Sequence, residues 1–104
     1  MTEQEIMLNY TQAVNYANDL NEKAQSLRTL ANQKYAGTLQ DISANWTGEN
    51  AQKYLAKGNS LKDKIINSAK ELDEVAESIR RSAKRVRDAD MQALQAAQQR
   101  DYGG

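Results

Sequence analysis

Apolar positions recur along this chain in steps of three and four. Ile6, Tyr10, Ala13, Ala17, Leu20, Ala24, Leu27 and Ala31 form one such series, and it continues through Tyr35, Leu39 and Ile42 to Trp46. Alternation of fours and threes is the heptad seam of an amphipathic helix that packs on another helix. Two consecutive steps of four, Ala31 to Tyr35 to Leu39, depart from the heptad and relax any left-handed supercoil locally. A second series runs through Ala51, Tyr54, Gly58, Leu61, Ile65, Ala69, Leu72, Ala76, Ile79, Ala83 and Val86, widened by Leu55, Ile66 and Val75. Nothing alternates with period two for more than a few residues, so no strand is predicted.

The two series predict two long helices, one over about residues 2–44 and one over about 49–98, joined by a turn at 45–48. Residues 99–104 are expected to fray. The chain has no Pro, and Gly occurs only at 37, 48, 58, 103 and 104, so nothing interrupts helices of this length. Thr2 and Glu5 have the spacing of a capping box at the first helix. At the turn, Gly48 supplies backbone freedom, Thr47 can cap the second helix, and Glu49 lies near its positive end. One reversal between two long helices gives an all-α, antiparallel helical hairpin filling residues 1–104 as a single domain.

Composition then decides what such a hairpin needs. Only 39% of the 104 residues are hydrophobic and 15 of them are Ala, so each seam position buries little area. Two helices cover each stripe on one side only, which predicts pairing with a second hairpin into a four-helix bundle. The dimer seam is expected at Ile6, Tyr10, Leu20, Leu27, Leu39, Ile42, Tyr54, Leu61, Ile65, Leu72, Ile79 and Val86.

Charge and chemistry narrow the function further. Fourteen basic and 14 acidic residues cancel, with −2 over residues 1–48 and +2 over 49–104, so the chain lacks the field of a general nucleic-acid binder. The basic residues concentrate in RRSAKRVR, as Arg80, Arg81, Lys84, Arg85 and Arg87. They flank the seam, and a solvated face with Asp73, Glu74, Glu77 and Asp88 at helical spacings is one reading. The alternative is a charged face that docks an acidic partner or membrane headgroups. No aromatic residues interleave with these charges, which disfavours nucleic acid. His and Cys are absent, and neither a phosphate-cradling glycine loop nor a nucleophile elbow occurs. The expectation is a binding protein that is not an enzyme and needs no cofactor or metal. No apolar run approaches a membrane span, and the segment MTEQEIMLNY has neither the basic nor the apolar region of a cleavable signal peptide.

Trp46-Thr47-Gly48 lies at mid-chain between the helices, followed at helical spacing by Ala51 and Tyr54. In this setting the motif resembles the WXG family of small type VII secretion proteins, the ESAT-like proteins, over essentially the whole chain. The resemblance implies a secreted helical hairpin, cytoplasmic before export, that leaves without a cleavable signal peptide. It implies dimerisation with itself or a similar hairpin, engagement of the secretion machinery ATPase, and a role as substrate, carrier or adaptor. Trp46, Thr47 and Gly48 become the recognition residues. Many members also carry Tyr-x-x-x-Asp/Glu after the second helix. Tyr10, Tyr16, Tyr35 and Tyr54 lack an acid four residues on, and Tyr102 is followed only by Gly103 and Gly104. The signal either takes another form or comes from a partner hairpin. The second case favours a heterodimer, or a small helper bound to a larger secreted effector; the rival expectation is a non-exported adaptor or targeting chaperone that pairs with the helical N-terminal region of such an effector.

Overall fold

A computed structural model describes residues 1–103, with side chains through residue 100. Among these residues the fold is all-α. The first arm comprises α1 (Glu3–Thr29), a π-helical stretch (Leu30–Tyr35) and α2 (Ala36–Asn45). The second arm is one helix, α3 (Glu49–Gly103). It passes the end expected near residue 98, because with no Pro and with Ala and Gln filling the final turns nothing stops the helix there. Gly104 lies outside the described residues.

The start of α1 is built as its sequence requires. The Glu5 N–H donates to Thr2 Oγ1 at 3.2 Å, and the Thr2 N–H donates to Glu5 Oε1 at 3.3 Å. The Ile6 N–H reaches the Thr2 carbonyl at 3.1 Å, which makes Thr2 the N-cap of a complete capping box.

The π-helical stretch is a departure from the continuous helix expected for residues 2–44. It falls on the two steps of four between Ala31 and Leu39. The Ala36 N–H reaches back five residues to the Ala31 carbonyl, so this turn holds one residue more than an α turn. Eight residues of uninterrupted α-helix would carry Leu39 about 80° past the line of Ala31. With the surplus residue absorbed, both side chains stay on the inner face, and both are buried.

Backbone contacts divide the chain into two compact units. Unit 1 comprises Met1–Leu20 and Glu74–Gly104, and unit 2 comprises Asn21–Asp73. In each, a segment of the first arm lies antiparallel to a segment of the second. Unit 1 buries Ile6, Ala17 and Ala76; Ile6, at 1% exposure, is the largest fully buried side chain among the described residues. Unit 2 buries Ala24, Ala31, Leu39, Ala51 and Ala69 together with Gly58. Alanines seven apart, as at 17, 24 and 31, keep the arms close and bury little area per residue. At Gly58 the approach is closest: a Cβ there would meet Leu39, with Cδ1 at 3.4 Å and Cγ at 3.5 Å. A side chain at position 58 would therefore have to displace the end of Leu39.

Candidate functional site

The turn that joins the arms belongs to unit 2. α2 ends where Trp46 leaves the helix for extended backbone (φ −135°, ψ 121°), its N–H still bonded to the Ile42 carbonyl at 2.9 Å. Asn45 Nδ2 donates to the Asp41 carbonyl at 2.8 Å, satisfying another acceptor of the last turn. Gly48 has φ +115°, a conformation that L side chains rarely adopt. Its carbonyl accepts the Gln52 N–H at 3.1 Å, the first bond of α3. Gly48, and not Thr47, thus stands at the N-cap position, and the expectation of a Thr47 cap is corrected on that geometry.

Trp46 is half-exposed, at 45%. Its indole leans on the Tyr54 ring with centroids 5.8 Å apart and planes tilted by 56°, a favourable aromatic geometry. Tyr54 itself is 56% exposed, so the pair forms an apolar step open to solvent beside the reversal. Glu49 and Lys53, 3.5 Å apart, add a solvated charge pair next to it. A fixed glycine turn with a half-covered indole supplies shape and apolar area for recognition.

The expected seam residues divide by burial. Ile6 and Leu39 are buried within the chain; Tyr10, Leu20, Leu27, Ile42, Ile65, Leu72 and Ile79 are half-buried; Tyr54, Leu61 and Val86 are exposed. In unit 1, Ile6, Tyr10 and Ala13 face Ile79, Ala83 and Val86 across an open groove of about 340 Å³, with Asn9, Ser78, Ser82, Arg87 and Asp90 on its rim. Val86 is 57% exposed in this groove, and Val75, on the same helix, is also exposed.

The basic run separates in a similar way. Arg80 turns back to the first arm, its Nη2 donating to Asn18 Oδ1 at 2.8 Å, and lies 3.8 Å from Glu77. Arg87 stacks over the Tyr10 ring, 4.3 Å from its centroid, and pairs with Asp88 at 3.2 Å. Arg81, Lys84 and Arg85 are exposed. Asp73 reaches across to the first arm. Within unit 2 it accepts from Asn21 Nδ2 at 2.6 Å and from the Arg28 guanidinium, so a half-buried ionic clasp joins the arms.

Sequence reasoning missed the Asp73 clasp, the Tyr10–Arg87 stack and the exposed Leu30 of the π-helical stretch. Spacing along one helix carries no information on the first two. The third had a signal in the paired steps of four. Among the described residues, no group of three or more His, Cys, Asp or Glu is placed to hold a metal ion. No helix among them is long and apolar enough to cross a membrane.

No curated protein and no solved structure matches the chain. A family model described as proteins of 100 residues with WXG matches residues 5–91, which take in both arms and the Trp46–Gly48 turn. The chain belongs to the WXG100 family.

Proposed function

We propose that this chain is a small helical-hairpin protein of a type VII secretion system, exported as a substrate, carrier or adaptor in a dimer with itself or a similar hairpin. The observation that carries the reading is the family match over residues 5–91, centred on a turn that leaves Trp46 half-exposed beside Tyr54. A purely internal indole would be covered; this one contributes to packing and offers a face to another protein. Dimerisation is supported by the apolar groove at Ile6, Tyr10, Ala13, Ile79, Ala83 and Val86, which a second hairpin covers on forming a four-helix bundle. The secretion machinery ATPase is the proposed reader of Trp46, Thr47 and Gly48, and Arg81, Lys84 and Arg85 are the proposed charged face toward a partner. The role is one of binding, without catalysis. The chain acts as one hairpin domain, cytoplasmic until export.

The test is replacement of Trp46 by Ala and of Gly48 by a bulky residue, with export into washed culture medium as the readout. Export is lost while circular dichroism and native mass stay unchanged. Unchanged export overturns the reading. A second reading is favoured by the absence of an acid four residues after Tyr10, Tyr16, Tyr35 and Tyr54. In it, the hairpin is a non-exported adaptor paired with the helical N-terminal region of a larger effector. The protein then stays in the cells while the co-expressed effector reaches the medium.

A further inference from the structure

The π-helical stretch and the Leu39–Gly58 contact are parts of one device in unit 2. The surplus residue between Ala31 and Leu39 is accommodated by the Ala36 to Ala31 bond. Leu39 is seated in the space a Cβ at position 58 would fill. Relaxed to plain α-helix, the same residues would turn α2 by about 80° about its axis, and Leu39 would leave Gly58. The sequence just after the π turn is suited to such a rotation. Gly37, with nothing within 4 Å of a built Cβ, weakens the helix, and the Thr38 hydroxyl bonds to the Lys34 carbonyl at 3.0 Å, a local alternative known to bend helices. Trp46 directly follows α2, so rotation of the helix carries the indole relative to Tyr54.

We propose that the Leu30–Tyr35 π-helix is a register switch: docking of Leu39 on Gly58 holds the surplus residue, and its release turns α2 and moves Trp46 off Tyr54. The device gives the turn two presentations from one sequence, one with the aromatic pair closed and one with the indole free. Two discrete packings of one element are the form that conformational switches take. The switch is a property of the chain itself and is measured without secretion, so its failure leaves the export reading untouched.

The experiment uses the purified full chain and three variants: Leu39→Ala, a deletion of Gln33, and both combined. Trp46 is the sole Trp, so its emission reports the turn, and amide exchange reports the π turn. Leu39→Ala is expected to red-shift the emission and to speed exchange at residues 31–36 by about tenfold, with the other helical amides little changed. Deletion of Gln33 removes the surplus residue, so Leu39 falls seven positions after Ala31. Emission then stays as in the parent, and exchange at the former π turn slows. In the deletion background, Leu39→Ala no longer speeds exchange locally by the same factor. The proposal is overturned if Leu39→Ala leaves emission and exchange unchanged. It is also overturned if exchange rises uniformly along both arms, which would make Leu39 ordinary packing, or if the Gln33 deletion itself displaces Trp46.

Discussion

Residues 21–73 bring their arms together through Ala24, Ala31, Ala51 and Ala69, with Leu39 pressed on Gly58 and Asp73 clasping Asn21 and Arg28. Residues 1–20 and 74–104 are put together differently. They bury Ile6 and two alanines, stack Arg87 on Tyr10, and leave Tyr10, Ala13, Ile79, Ala83 and Val86 around an open groove. The first unit to be entered by a larger side chain should therefore be unit 1, which has room, while unit 2 should resist. The contrast teaches that one hairpin combines two kinds of contact. Small residues let helices meet closely, and larger ones kept half-exposed hold apolar area in reserve for a partner.

Four substitutions probe that contrast. Ile6→Ala removes the largest fully buried side chain among the described residues of unit 1 and should cost about 2–5 kcal/mol in chemical denaturation, the usual range for truncating a buried Ile. A smaller loss would mean that unit 1 is held mainly by its surface contacts. In unit 2, Gly58→Val forces a branched side chain against Leu39 and should cost about 2 kcal/mol through overpacking. The matching enlargement in unit 1, Ala83→Leu, projects into the groove and should change stability by no more than about 0.5 kcal/mol. Equal losses at the two positions would erase the distinction between the units. Asp73→Asn keeps the shape of the clasp and removes its charge; because Arg28 and Asp73 are each about one-third exposed, the loss should be about 0.5–1 kcal/mol and shrink with added salt.

The smallest effect concerns pH. The Thr2 N–H, and then the Thr2 hydroxyl, hold the Glu5 carboxyl below its ordinary pKa. A carboxylate depressed in the folded state adds stability at pH values above its unfolded pKa of about 4.3, and that contribution is lost as pH falls through the lower folded value. An NMR titration should therefore place Glu5 below an unstructured Glu, and Thr2→Val, which removes the hydroxyl and keeps the backbone N–H, should bring it only part of the way back. Equal titration of Glu5 in both proteins would remove the capping box from the account of helix α1.

The fold was legible because its determinants are local. Periodicity named the arms, and Trp46-Thr47-Gly48 marked a reversal whose flanking helices end at Asn45 and resume at Glu49. Thr2 and Glu5 cap α1 from adjacent turns. The paired fours at Ala31, Tyr35 and Leu39 were visible as well, but a stutter can relax a supercoil or be taken up as a π turn. The structure shows the second, with the Ala36 N–H bonded to the Ala31 carbonyl and Leu39 packed at Gly58. The pairing of Asp73 with Arg28 was not legible, since spacing along one helix carries no information on pairs between opposite arms. The half-exposure of Trp46 was likewise set by where Tyr54 falls after the turn.

The claim most open to direct trial is that the groove at Tyr10, Ala13, Ile79, Ala83 and Val86 is the surface a second hairpin covers. Sedimentation of the chain, alone and with co-expressed genomic neighbours, measures it, with Val86→Asp as the probe. The account predicts a two-hairpin complex that falls apart on Val86→Asp while helicity is retained. A single-chain mass under every condition, or a complex that Val86→Asp leaves intact, would contradict it.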